Sequence, residues 1–368
     1  MSDVLTEILF RLPAKSLGRF KSVSKHWLSL ITDPHFRHRR NLNPPSVSGL
    51  FLHRCTLLPY RCHSCNLNDP EFCFIPLDDK NPIAAPFTLD DIEYNVYILQ
   101  SCNGLLLCCS HPPPENHYIL NPTTKQFTKL PQLDASSTCH FSLAFDPSKS
   151  PHYKVICFQQ SKDSVRQFQI HIYSSETGTW RASGHPFMGC PSLLYYRGVF
   201  WNDAIHWIGS GGTSLYFNLD RESLQTMPMP RLYLEYKRKE VYFGESRGHL
   251  HLILDDSVSF CVYEMGRDYS WFVKYEVDLA QVFAAFPDLM ISKKNHTEFS
   301  ILSVVREENE QESFLVLHFP GKAIRYKFKD ETFKKIFDFG PSGCISNSCT
   351  EHLRFRWFDV CHYIETLP

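Results

Sequence analysis

Apolar residues at the start of the chain recur every three or four positions. Val4, Leu5, Ile8, Leu9 and Leu12 fall on one side of a helix. Pro13 ends that helix. A second apolar set follows at Leu17, Phe20 and Val23, and a third at Trp27, Leu28, Leu30 and Ile31. Asp33-Pro34 then supplies an N-cap with proline at the first helical position. The pattern predicts three or four short helices in residues 1–42. Past Pro44-Pro45 the helical period disappears. Short alternating or fully apolar runs appear instead, such as Tyr153-Lys154-Val155-Ile156-Cys157-Phe158 and Phe314-Leu315-Val316-Leu317-His318-Phe319. Gly, Pro, Asn, Asp and Ser separate them, which predicts strands and turns.

These runs repeat. Ile119-Leu120-Asn121-Pro122-Thr123-Thr124-Lys125-Gln126-Phe127 returns in form from Ile172 to Trp180 and from Tyr216 to Leu224, and more loosely from Val262 to Trp271 and from Tyr326 to Phe333. Each copy is a strand, a polar turn and an aromatic or Leu that opens the next strand, which is a hairpin. Most steps approximate one four-stranded propeller blade of roughly 40–50 residues. Runs before several copies, Asn103–Leu107, Asp203–Trp207 and Gly248–Ile253, read as inner strands. The expected fold is therefore α+β and multidomain: a short three-helix N-terminal unit and a large all-β, propeller-like domain of five to six degenerate blades. Five blades are visible, and a sixth would combine residues 46–95 with the C-terminal strands at 353–363. Residues 282–294 read as a short helix or a loop insertion. An irregular β-sandwich is the alternative architecture. The divisions are 1–42 (helical unit), 43–95 (linker and possible first blade) and 96–368 (β domain).

Composition narrows the function classes. Of 368 residues, 43% are hydrophobic and 21% charged, an ordinary globular balance. Aromatics reach 14%, which suits half-buried strands. The formal net charge of −1 gives no general pull toward nucleic acid or anionic membrane. No apolar run approaches the roughly 20 residues a membrane helix needs. The acidic start Met1-Ser2-Asp3 is unlike a signal peptide. A cytoplasmic or nuclear protein is expected, with its 14 cysteines reduced.

The helical unit presents more large apolar side chains than so small a body can hide, so either the β domain or a partner must cover them. Its residues also carry a resemblance. Glu7-Ile8-Leu9, Arg11-Leu12-Pro13, Lys15-Ser16-Leu17, Arg19-Phe20, Val23-Ser24-Lys25-His26-Trp27 and Leu30-Ile31-Thr32-Asp33-Pro34-His35-Phe36 closely resemble the F-box. The resemblance implies docking onto a Skp-type linker protein, and through it onto a cullin and a RING subunit. Carried over by position, the linker contacts would be Leu5, Ile8, Leu9, Leu12, Pro13, Leu17, Val23 and Trp27. The Leu-Pro pair that usually opens the family is absent, which implies either weaker linker binding or an alternative or truncated start. The segment holds eight Lys or Arg against three acids, which suits an acidic partner surface.

The β domain resembles the F-box-associated domain of plant F-box proteins. The likeness rests on Asn103-Gly104-Leu105-Leu106-Leu107, Asn121-Pro122-Thr123-Thr124, Phe145-Asp146-Pro147, Tyr153-Lys154-Val155 and His206-Trp207, and extends over about 100–275. It implies a domain that holds a protein substrate. The whole chain then reads as a substrate adaptor of an SCF (Skp–cullin–F-box) ubiquitin ligase, without catalytic residues of its own. Candidate substrate contacts are Trp201, His206, Tyr233, Tyr236 and Arg247, because aromatics and Arg anchor interfaces. Trp207, within an apolar strand, reads as core. Two alternatives stay open. One is a carbohydrate-binding or enzymatic propeller with a helical cap, and the other is a diverged F-box protein that no longer recruits a ligase.

No catalytic motif survives inspection: the chain has no Gly-x-Ser-x-Gly elbow, no phosphate-cradling Gly-x-x-x-x-Gly-Lys loop and no His-Glu-x-x-His. Gly209, Gly211 and Gly212 read as a blade-connecting loop. Cys62-His63-Ser64-Cys65 is half of a zinc motif, but no second pair follows at regular spacing. No metal, cofactor or nucleic acid is therefore expected. His249 and His251 share one strand face and read as core or rim histidines.

Overall fold

The computed structural model describes residues 2–12, 14–41, 46–54, 71–78, 85, 96–110, 116–133, 139–162, 164, 166–189, 198–209, 214–230, 241–254, 257–286, 299–339 and 355–366. Four helices open the chain: α1 (Ser2–Phe10), α2 (Ala14–Phe20), α3 (Lys25–Thr32) and α4 (Pro34–Asn41). Strands follow, and among the described residues one further short α-helix, α5 (Ala280–Ala285), lies at the start of the stretch expected to be helix or insertion. Its Val282 and Phe283 are buried.

The strands form six sheets. Five are four-stranded, each with its strands in sequence order. Sheet one is β3 (Val96–Cys102), β4 (Leu105–Ser110), β5 (His117–Asn121) and β6 (Gln126–Lys129). Sheet two is β7 (Cys139–Ala144), β8 (Lys154–Gln160), β9 (Gln167–Ser174) and β10 (Thr179–Met188). Sheet three is β11 (Val199–Trp201), β12 (Ala204–Ile208), β13 (Ser214–Asn218) and β14 (Ser223–Thr226). Sheet four is β15 (Tyr242–Ser246), β16 (His249–Ile253), β17 (Ser259–Met265) and β18 (Trp271–Asp278). Sheet five is β19 (Ser300–Val305), β20 (Phe314–Phe319), β21 (Lys322–Lys327) and β22 (Phe333–Asp338). The sixth sheet has the order β2 (Glu71–Pro76), β1 (Gly49–Arg54), β23 (Val360–Tyr363), so both ends of the chain contribute to it. These are the six blades of a β-propeller fold, the sixth assembled as expected.

All five sequence repeats are the hairpins that join third to fourth strands. Their turns share one backbone device. Lys125, Gly178, Glu222, Tyr269 and Glu331 all have φ between 48° and 70°, and each lies two positions before the aromatic or Leu of its repeat. Asn and Asp side chains support several of these turns. Asn121 Oδ1 accepts the N–H of Thr123 at 2.9 Å, and Asn218 Oδ1 accepts the N–H of Arg221 at 2.8 Å. The aromatic does more than open a strand. The Trp180 indole donates to the Pro131 carbonyl at 2.7 Å, and the Trp271 indole donates to the Pro228 carbonyl at 2.8 Å. Each thus clasps its fourth strand to the chain just leaving the preceding sheet.

The chain divides into two compact units. The first comprises Met1–Leu50, Pro76–Phe187 and Cys361–Pro368, and the second comprises Phe51–Ile75 and Met188–Val360. Within each unit, neighbouring sheets meet through their first strands, β3 against β7 and β15 against β11 and β19. This corrects the expected inner strands, because the runs at 105–107, 204–207 and 249–253 form second strands. Second strands are covered on both faces and read as solid apolar runs, whereas first strands carry the polar groups that bridge sheets. Gln100 on β3 shows this: its side chain accepts the Leu143 N–H at 2.7 Å and donates to the Leu143 carbonyl at 3.4 Å.

In the first unit the C-terminal residues are tied to sheet one. The His362 N–H donates to Ser101 Oγ at 2.8 Å, and the Thr366 N–H donates to Thr123 Oγ1 at 3.2 Å. Gly104, at φ +90°, lies directly under Thr366 and Ile364. In the second unit Tyr242, Val262, Phe283, Phe299, Leu317 and Phe319 belong to the core shared by sheets four and five. The eight described cysteines carry free thiols.

Candidate functional sites

Helices α1–α4 form the first site. Leu9, Leu17, Ile31 and Phe36 make its centre, and Leu5, Phe10, Leu12, Phe20, Trp27 and Leu30 pack around them. Phe20 meets Trp27 edge-on, with 5.1 Å between ring centroids. The Ser24 hydroxyl caps α3 by accepting the Trp27 N–H at 3.1 Å. Asp33 caps α4 by accepting the N–H groups of His35 and Phe36 at 2.9 and 3.0 Å. Two basic residues of α4 reach back to α1: Arg40 donates to the Phe10 carbonyl at 2.9 Å, and Arg39 pairs with Glu7 at 2.7 Å.

The unit closes around its own core, yet Val4, Ile8, Val23 and Leu28 stay 67%, 52%, 58% and 42% exposed. Of the eight positions expected to contact a linker, Ile8 and Val23 are bare, and Leu5, Leu12 and Trp27 are half-buried. Leu9 and Leu17 lie wholly inside, and Pro13 is outside the described residues. Val4 and Leu28 belong with the bare positions and were not expected there. The available signal was Val4's place one helical turn before Ile8.

The second set lies in the second unit. Trp201 and His206 come together with ring centroids 5.5 Å apart. The Trp201 indole donates to the Gly248 carbonyl at 2.8 Å, which sets it beside the turn carrying Arg247. His206 stacks on Tyr216 at 5.4 Å and on Tyr269 at 6.1 Å. Burial pushes its pKa down to about 4, only partly opposed by the carbonyls of Val199 and Ala204, so the ring is neutral. Trp201, His206 and Trp207 are all buried. Tyr233 and Tyr236 lie outside the described residues, as does the 62–65 cysteine motif.

Sequence reasoning placed His249 and His251 on one face but missed their partners. Glu264 sits opposite His251 across the β16–β17 pair. Its carboxylate is 3.0 Å from His249 Nδ1, 3.4 Å from His251 Nε2 and 3.5 Å from Arg306 Nη1. Burial alone would raise the Glu264 pKa, but hydrogen bonding from the two histidines outweighs it and holds the carboxyl well below the usual range. Burial also lowers His251 to about 4, and the Arg306 guanidinium lies beside the same carboxylate. Arg306 Nη1 also donates to the Tyr275 hydroxyl. Tyr275 stacks flat on Phe328 at 3.8 Å. Glu264 lies on the neighbouring strand and Arg306 and Phe328 come from sheet five and its connection, so no spacing rule links them. Among the described residues, no group of three or more His, Cys, Asp or Glu is arranged to hold a metal ion. No helix among them is long and apolar enough to cross a membrane.

A small helical module with bare apolar side chains, followed by a bladed β domain, defines a two-module protein. The F-box domain family matches residues 2–39, and the family described as F-box associated beta propeller domain matches residues 75–367. The chain belongs to the F-box proteins that carry this propeller domain. It is 36% identical to F-box protein At5g07610 of Arabidopsis thaliana over 404 aligned residues, covering all of this chain and 91% of that one. It is 30% identical to F-box protein At5g49610 of the same plant over 57% of this chain and 58% of that one. The β-propeller domain of the Trilobed protease from Pyrococcus furiosus aligns with a TM-score of 0.37 at 9% identity, over 81% of this chain and 94% of that one, too loosely to carry an argument. F-box proteins of this type are typically adaptors, and the F-box implies binding of a Skp-type protein within an SCF complex.

Proposed function

We propose that this chain is the target-recognition subunit of an SCF ubiquitin ligase. Its helical module binds a Skp-type linker, which brings the cullin and RING subunits, and its propeller domain holds a protein target. The observation that carries the reading is the bare apolar set Val4, Ile8, Val23 and Leu28 on a module whose own core is already complete. Leu9 and Leu17 lie in the core of that module, and Leu5, Leu12 and Trp27 are half-buried against it. Covering one large apolar side chain fully yields roughly 1.5–3 kcal/mol, and a half-exposed one somewhat less, so a handful make a firm contact. Catalysis by the chain is proximity alone: the target's lysines are held near a charged conjugating enzyme, and no bond is made by the chain's own residues. Arg247 is the described target contact, Trp201 and His206 position its turn, and Tyr233 and Tyr236 are further contacts. The complex works in the cytoplasm or nucleus.

Co-purification with a Skp-type protein tests the reading. Wild type should be retained, and Ile8→Asp and Val23→Asp should each reduce retention at least tenfold (about 1.4 kcal/mol) without lowering the melting temperature. Failure of folded wild-type protein to be retained overturns the adaptor reading.

A further inference from the structure

The connection between β19 and β20 carries Glu308, Glu310 and Glu312, and cations from a strand, a turn and its own first residue pair with the first two. Glu308 is 3.8 Å from Arg247 on the β15–β16 turn, and Glu310 is 2.6 Å from Lys274 on β18 and 3.6 Å from Arg306. In every one of these pairs the cation is the recessed member. The Arg306, Arg247 and Lys274 side chains are 7%, 16% and 22% exposed, whereas Glu308 and Glu310 are 76% and 54% exposed. Strand β18 places Lys274 and the β15–β16 turn places Arg247, while Arg306, the residue that follows β19, is fixed by Glu264 and the stacked Tyr275. The carboxylates sit on a connection whose backbone is tied by Arg306 N–H to Ser246 Oγ of β15 at 3.0 Å and by Glu307 N–H to Ser313 Oγ at 3.1 Å. Arg306 also has unused donor capacity, because its buried Nε has no acceptor. A buried guanidinium with a free donor calls for another oxyanion.

We propose that the 307–312 connection is an acidic strap over a cationic recess formed by Arg247, Lys274 and Arg306, and that this recess takes an acidic peptide segment of the target protein in place of the strap. The inference rests on the reading of the propeller domain as the target-holding module. Charge complementarity selects the occupant: the strap already shows the recess holding two glutamates of one short peptide segment. Exposed ion pairs are individually weak, so a ligand offering several carboxylates can displace the strap at modest cost. The strap then sets a threshold that excludes weakly acidic segments.

The test is fluorescence anisotropy on the full-length chain with a fluorescein-labelled octaglutamate peptide at low salt. Glu308→Gln with Glu310→Gln should tighten binding about tenfold, the order that the three partly exposed ion pairs together supply. Arg247→Ala with Lys274→Ala should abolish binding. Lys334→Ala with Lys335→Ala, an equal charge change on the exposed strand β22, should leave it intact. A gain of affinity cannot come from misfolding, so the strap variant keeps the test decisive if the recess variant is unstable. The proposal is overturned if the strap variant binds no tighter, if the recess variant binds like wild type, or if the β22 control loses binding equally. Linker retention is measured on the same preparations. Lost peptide binding with intact retention sinks this inference alone, and the reverse sinks only the ligase reading.

Discussion

Replacing Gly104 with Ala tests how the C-terminal residues are held. Gly104 has φ +90°, and an added Cβ would overlap the Thr366 side chain and lie 2.9 Å from the Ile364 carbonyl oxygen. The positive φ alone costs about 1–2 kcal/mol for a residue with a side chain. Thr366 can rotate away, but the Ile364 oxygen is backbone and moves only if the tail lifts. Lifting loses the Thr366-to-Thr123 hydrogen bond and the weaker Asn121-to-Thr366 contact at 3.5 Å, together about 1–2 kcal/mol. The expected loss is therefore roughly 3 kcal/mol, a sizeable part of a typical 5–15 kcal/mol stability. Gly178→Ala isolates the first part, because Gly178 has φ +70° with nothing near its Cβ. Urea unfolding should place Gly178→Ala about 1–2 kcal/mol and Gly104→Ala about 3 kcal/mol below wild type, with unchanged slopes. Carboxypeptidase should trim Gly104→Ala faster than either. Equal midpoints for the two variants would refute the account of the tail.

Two further outcomes are expected. Trp271→Phe keeps the ring but removes the indole donor to Pro228, so it should cost on the order of 1 kcal/mol in urea unfolding; a neutral result would show that the clasp is packing alone. His206 and His251 have folded pKa values near 4, below the unfolded value of 6.5, so the unfolded chain binds more protons between those limits. Stability should be complete above pH 6.5 and fall progressively as pH drops toward 4. His206→Phe, which preserves the stack on Tyr216 and Tyr269, should flatten that slope, and unfolding midpoints at pH 7 and pH 5 would show it.

Local features were legible and distant ones were not. The five hairpins could be read because each turn is written in adjacent residues, as in Asn121 through Phe127. The sixth sheet could be anticipated because both termini carried strand-like runs without partners of their own. Assignment of the innermost strands failed for a physical reason: β4 and β12 are more apolar than β3 and β7 because they are covered on both faces, not because they are central. In the helical module, periodicity named the apolar positions correctly but not which of them face inward. Leu9 and Ile8 are neighbours in sequence, yet one is sealed and the other bare. The Glu264–Arg306 pair joins residues 42 positions apart (306 minus 264), so only the fold reveals it.

A sheet whose strands come from both ends of the chain has a consequence for biosynthesis. The ribosome delivers Gly49–Arg54 early and must make about 300 more residues before Val360–Tyr363 exists to pair with it, on the order of 15–60 s at roughly 5–20 residues per second. Throughout that interval the apolar run Leu50-Phe51-Leu52 has an open edge. Nascent chains of this protein should therefore depend on chaperone cover until the last strand emerges, and premature termination anywhere before it should leave a product that quality control removes.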